Sequence, residues 1–175
     1  AASDVYKRQA SVSAMRELIG FKAYELSGME AYCVYAAAKY VSQVFYDYGE
    51  GFSQENSILI HDCFTEEKDV HFTVDVPKGV KQIRIDPCSY RCAVTVKDIA
   101  AGEQHFAKDN MTVNGVWANE NCVIFDTEDP NLVFACEGAD RLDVTLEVVE
   151  LPESLTATLI EVVTPKENGL KRFFH

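Results

Sequence analysis

Alternation of apolar and polar residues with period two, in short runs from residue 41 onward, constrains this chain more than any other feature. Val70, Phe72, Val74 and Val76 alternate with His71, Thr73 and Asp75. Leu142, Val144, Leu146 and Val148 alternate with Asp143, Thr145 and Glu147. Successive side chains of a strand point to opposite faces, so such runs are half-buried strands. Further strand candidates are 41–48, 57–64, 80–86, 92–99, 111–117, 121–126 and 131–136. Turn signals separate them: Pro77-Lys78-Gly79, Asp86-Pro87, Asp109-Asn110, Asn114-Gly115, Asp129-Pro130 and Glu137-Gly138. Short strands at regular spacing, without helical patterns between them, predict a mainly β fold: an antiparallel β-sandwich of jelly-roll type.

The period is helical on both sides of this segment. Met15, Ile19, Leu26, Met29, Cys33, Ala36 and Tyr40 form a heptad seam with Lys22, which predicts an N-terminal helix over 13–40. Gly20 and Gly28 weaken it by about 1 kcal/mol each relative to alanine. It suits a linker better than a core element. After Pro152, Leu155, Leu159, Ile160 and Val163 predict a short C-terminal helix with an exit segment behind it, together spanning 152–175. The domain expected to fold by itself is 41–151.

With 16 basic and 28 acidic residues the net charge is −12, which disfavours nucleic acid as a partner. No apolar run is long enough to span a membrane. Six cysteines (Cys33, Cys63, Cys88, Cys92, Cys122 and Cys136) admit two readings, reduced core thiols or one or more disulfides. Zinc is disfavoured because Cys88 and Cys92 lack a second pair at ligand spacing. No metal and no cofactor is expected.

Candidate ligand contacts are the aromatic residues in or beside loops: Trp117, Tyr48, Phe52 and Tyr90, whose rings could stack on sugar faces. Trp117 is the foremost, being followed by Ala118-Asn119-Glu120-Asn121. Gly49 and Gly51 read as turn glycines with positive φ. Asp47, Glu50 and Glu55 beside them lack the dense spacing of a calcium loop. Arg84 and Asp86 share one strand face and read as a brace. His61 and Cys63 could form a nucleophile and base, but no third group orients them. No catalytic residue is selected.

The run Phe45-Tyr46-Asp47-Tyr48-Gly49-Glu50-Gly51-Phe52-Ser53-Gln54-Glu55-Asn56, with Ile83-Arg84-Ile85-Asp86-Pro87-Cys88, Val94-Thr95-Val96-Lys97-Asp98-Ile99 and Phe125-Asp126-Thr127-Glu128-Asp129-Pro130, resembles a β-rich accessory module. Such modules are attached to bacterial glycosyltransferases of the family 2 type, and to rhamnan-synthesis-like proteins of cell-surface polysaccharide assembly. The resemblance covers residues 41–151. Its motif residues are Tyr46, Gly49, Gly51, Phe52, Asn56, Arg84, Asp86, Pro87, Asp129 and Pro130. It implies a non-catalytic domain, covalently linked to a catalytic domain outside this sequence. The whole would be cytoplasmic or membrane-peripheral, with a glycan acceptor as a partner. No Asp-x-Asp site or glycine-rich phosphate loop accompanies it. A free-standing carbohydrate-binding module and a purely structural or oligomerising module are the alternatives. Residues 1–9 resemble a translated adapter string from metagenomic reads, so 1–12 are expected to be artefact or disordered.

Overall fold

The computed structural model describes residues 39–65 and 68–164. The expected helix over 13–40 falls outside the described residues but for its last two positions, as do residues 1–12 and the exit segment after 164.

The described residues are mainly β, with antiparallel sheets and one α-helix. β1 (Ser42–Asp47), β2 (Ser57–Ile60), β5 (Gln82–Asp86), β8 (Thr112–Val113) and β11 (Leu132–Ala135) form one sheet in the order β2-β1-β5-β11-β8. β3 (Phe64–Thr65), β4 (Asp69–Asp75), β6 (Cys92–Ala101), β9 (Val116–Trp117), β10 (Cys122–Phe125) and β12 (Arg141–Glu150) form the other, in the order β3-β4-β12-β6-β10-β9. β7 (Gln104–His105) pairs with β6.

Alternation decides which side chains face inward. Val44, Ile83, Ile85 and Leu132 from the first sheet are fully buried. They join Val94, Val123, Phe125, Leu142 and Leu146 from the second in a single core cluster, a sandwich-like arrangement. Tyr46 ties the layers together: its hydroxyl donates to the Asp75 carbonyl in β4, at 3.2 Å. Burial raises the Tyr46 phenol to about 12.

Two expected strands are each divided by a crossing between the sheets. The 57–64 segment ends at Ile60, and His61-Asp62-Cys63 carries the chain to β3 with Asp62 at φ 57°. His61 and Cys63 are therefore loop residues and do not share a strand face. The 111–117 segment breaks at Asn114-Gly115, which joins β8 to β9. A β-carbon on Gly115 would meet the Ile124 carbonyl oxygen at 2.6 Å, Phe125 Cδ1 at 2.7 Å and Val123 Cγ1 at 2.8 Å. Gly115→Ala therefore forces backbone and core apart at once. The expected loss is about 1–3 kcal/mol, typical of overpacking. At roughly 2–4 °C per kcal/mol for a domain of this size, thermal unfolding should show a clear drop in midpoint. An unchanged midpoint would mean that the crossing relaxes freely.

The chain leaves β12 through Pro152 into α1 (Glu153–Val163). Glu153 at its first turn suits the positive end of the helix dipole. Thr156 is its one buried residue, whereas Leu155, which the apolar periodicity placed inward, is exposed. α1 packs against β10 and β9. Ile124 alternates to the face opposite Val123 and Phe125 and is nonetheless only 4% exposed.

Candidate functional site

β5 and β11 are antiparallel, with Ile85 opposite Leu132. The end of β5 at Asp86-Pro87 therefore lies beside the entry to β11 at Asp129-Pro130. Arg84, on the outer face of the first sheet, joins the two turns. Its Nε is 2.6 Å from Asp86 Oδ1, and its Nη2 is 2.8 Å from Asp86 Oδ2 and 2.7 Å from Asp129 Oδ1. The guanidinium carbon also stands 5.0 Å from the centroid of the Phe45 ring, its register neighbour on β1. Phe45 is buried on this outer face, beneath the arginine.

Burial works against the Arg84 charge, but the bonds to Asp86 and the charge of Asp129 prevail and raise its pKa. Burial pushes the Asp86 carboxyl up, against the pull of Arg84. The Asp129 turn is fixed further by Asn114, whose Nδ2 donates to the Asp129 carbonyl at 2.8 Å and whose Oδ1 accepts the Asn131 N–H at 2.9 Å. On the Pro87 side, Ser42 Oγ donates to the Pro87 carbonyl at 2.9 Å. Asp86 and Arg84 are largely enclosed, but the Asp129 side chain is 67% exposed. The result is a carboxylate offered to solvent, Asp129, which takes one hydrogen bond from an arginine that is itself fixed by its bidentate pair with Asp86.

The glycine-rich run has a different purpose. Asp47 Oδ1 accepts three backbone N–H groups: Gly49 at 2.6 Å, Glu50 at 2.9 Å and Gly51 at 2.8 Å. Wrapping the chain around one oxygen requires left-handed backbone, supplied by Gly49 (φ 108°) and Gly51 (φ 94°). The bond from Gly49 above all, then those from Gly51 and Glu50, holds the Asp47 carboxyl below its usual range despite burial. A depressed carboxyl stabilises the fold above its unfolded pKa near 3.9 and loses that contribution as pH falls through the folded value. Asp47→Asn should therefore lower the midpoint at neutral pH, and the gap from the unchanged chain should narrow below about pH 4. A gap that is constant from pH 3 to 7 would contradict this role.

The aromatic candidates are spread over the fold. Tyr48 follows β1 and is 38% exposed, with its ring next to Gly79. Phe52 is half-buried in the same loop, ahead of the short 3-10 turn Gln54–Asn56 that contains Asn56. Tyr90 is half-buried in the β5–β6 connection, beyond the other end of β1, roughly 17 Å away at 3.4 Å per residue. Burial drives its phenol well above the ordinary range. Trp117 lies on β9 and packs against the core. Tyr48 and Phe52 are thus neighbours in one loop, while Tyr90 and Trp117 each stand elsewhere.

The His61 and Cys63 pair gains no catalytic geometry. Cys63 Sγ contacts Ser42 Oγ at 3.4 Å, and burial raises its pKa, the opposite of what activates a thiol. The His61 Nε2 is buried without a hydrogen-bond partner. Among the described residues, no three His, Cys, Asp or Glu side chains converge as a metal site would require.

The periodicity missed two features. The oxygen of Asp47 at the centre of its turn was signalled by an aspartate two residues before Gly-x-Gly. The link through Arg84 was signalled only by the repeated Asp-Pro. No protein-family model, no curated protein and no solved structure matches the chain.

Proposed function

We propose that residues 41–151 form a jelly-roll-like, non-catalytic accessory domain of a bacterial glycosyltransferase that assembles cell-surface polysaccharide. The domain works in the cytoplasm or at the membrane periphery, joined covalently to its catalytic partner, and contacts the glycan acceptor. The order β4-β12-β6-β10 in one sheet and β1-β5-β11 in the other supports the jelly-roll reading. The chain passes between sheets at β4-β5-β6 and again at β10-β11-β12, as two interleaved Greek keys require.

The observation that carries the functional reading is the Arg84 clamp. It fixes two aspartates on the outer face of the first sheet and leaves one of them exposed. Oriented carboxylates of this kind accept hydrogen bonds from sugar hydroxyls, and the arginine removes the reorganisation that a free side chain would need. The same groups are poorly suited to chemistry: Arg84 is engaged by both Asp86 and Asp129, and Asp86 is held by Arg84.

The test is binding of the 175-residue chain to an array of bacterial surface glycans. Asp129→Ala spares the Arg84–Asp86 pair and should weaken binding at least tenfold while leaving the fold intact. If no glycan binds, or if Asp129→Ala binds as well as the unchanged chain, the reading fails. Trp117→Ala should act on stability first, since that ring packs against the core.

A further inference from the structure

The connection between β5 and β6 takes the chain from one sheet to the other, and both of its ends carry a buried thiol. Cys88 is 4% exposed and Cys92 is 0% exposed. Their sulfurs stand 3.4 Å apart, in van der Waals contact. The segment between them is anchored at several points. Arg91 pairs with Asp126 at 3.0 Å and Glu128 at 3.4 Å, and its carbonyl accepts the Leu151 N–H at 2.9 Å. The Ser42 hydroxyl holds the Pro87 carbonyl on the other side. The two thiols are therefore kept together by the fold and do not rely on chance encounter. The other described cysteines differ: Cys63 contacts Ser42 Oγ, Cys136 is buried, and Cys122 is half-exposed.

We propose that Cys88 and Cys92 are a peroxide-oxidised thiol pair whose disulfide staples the crossing between the two sheets. One thiol gives up its proton, and its sulfur attacks a peroxide oxygen, breaking the O–O bond and releasing water with that proton. The product is a sulfenic acid. The second sulfur then displaces the sulfenic hydroxyl, which leaves as water with the second thiol's proton. In sum, two thiols and one hydrogen peroxide give one disulfide and two waters; the sulfurs are oxidised together by two electrons, and the peroxide oxygens are reduced. Cys88, at 4% exposed against 0% for Cys92, is the nearer of the two to solvent. The hydrogen bond shared with Cys88, and then burial, keep the Cys92 thiol protonated, so the first step is slow and contact accounts for the second. The loop so closed is short, but it joins the layers at a point where backbone pairing is interrupted.

The experiment uses the reduced 175-residue chain, treated with hydrogen peroxide and mapped by mass spectrometry after blocking free thiols. Trypsin cuts after Arg91, between the two cysteines, so the peptides 85–91 and 92–97 stay joined only through the disulfide. The expected result is that joined pair, two of six thiols lost, and an unfolding midpoint higher by roughly 4–8 °C, reversed by dithiothreitol. Cys122→Ser should leave its yield unchanged. Oxidation that falls first on Cys122, disulfides formed only between chains, or a midpoint that does not rise would overturn the proposal. The mapping reads the unchanged chain, so it holds even if Cys92→Ala folds poorly.

Discussion

Replacing Arg84 with alanine lowers the unfolding midpoint by roughly 4–12 °C. Removal of one partner from a buried ion pair costs about 3–5 kcal/mol, because the other is left charged and dry. Here the figure is reduced to about 2–3 kcal/mol, since Arg84 is 22% exposed and water can reach the Asp129 side of the clamp. At roughly 2–4 °C per kcal/mol the loss is easily measured. It also depends on pH. Without the guanidinium, the Asp86 carboxyl moves further above its unfolded value, so the damage is full at neutral pH and shrinks as acid protonates the group. Arg84→Lys should restore only part of the loss, because a point charge cannot fork across two carboxylates as guanidinium does. A midpoint within about 2 °C of the unchanged chain at pH 7 would make the clamp a surface ornament and sever the two Asp-Pro turns in energetic terms.

Phe125→Ala should be more damaging still. Phe125 is the largest side chain that is fully buried, and it lies opposite Cys92 in the β6–β10 pairing. It also fills the space that Gly115 leaves open, with Cδ1 only 2.7 Å from where a β-carbon would stand. Removing a ring from such a site costs about 3–5 kcal/mol, from lost transfer energy and from the cavity left behind. Chemical denaturation should show a lower midpoint concentration with the slope preserved. Val162→Ala is the control: that side chain is 75% exposed on α1, and the change should stay within about 0.5 kcal/mol. Comparable losses from both substitutions would mean that the core is not where the two sheets place it.

The strands were legible because burial follows alternation. Val70 and Phe72 are buried while His71 and Thr73 are exposed, and Leu142, Val144, Leu146 and Val148 behave likewise. Breaks inside apolar runs were less legible. Ile58-Leu59-Ile60 leads into His61-Asp62-Cys63 without a glycine or proline to mark a break, and the left-handed Asp62 lies at the crossing. The α1 face was misplaced by one position, since Thr156 is buried while Leu155 is not. Its hydroxyl can be buried there because it bonds the Pro152 carbonyl within the helix, at 3.0 Å. In the site, Arg84 and Asp86 were readable as neighbours on one strand. Their connection to Asp129 was not, because it depends on strand order: β11 lies next to β5 although 45 residues separate Arg84 from Asp129. Periodicity within a strand carries no information about which strand comes to lie beside it.

The most direct test of the proposal that this face contacts glycan is a nuclear magnetic resonance titration of the chain with bacterial surface oligosaccharides. Amide shifts are predicted along Gln82–Asp86, at residues 129–133, and at Gln43 and Phe45, the positions that surround the Arg84 clamp on the outer face of the first sheet. Shifts confined to the Tyr48 and Phe52 loop or to Trp117, or no shift with any glycan tested, would contradict the account.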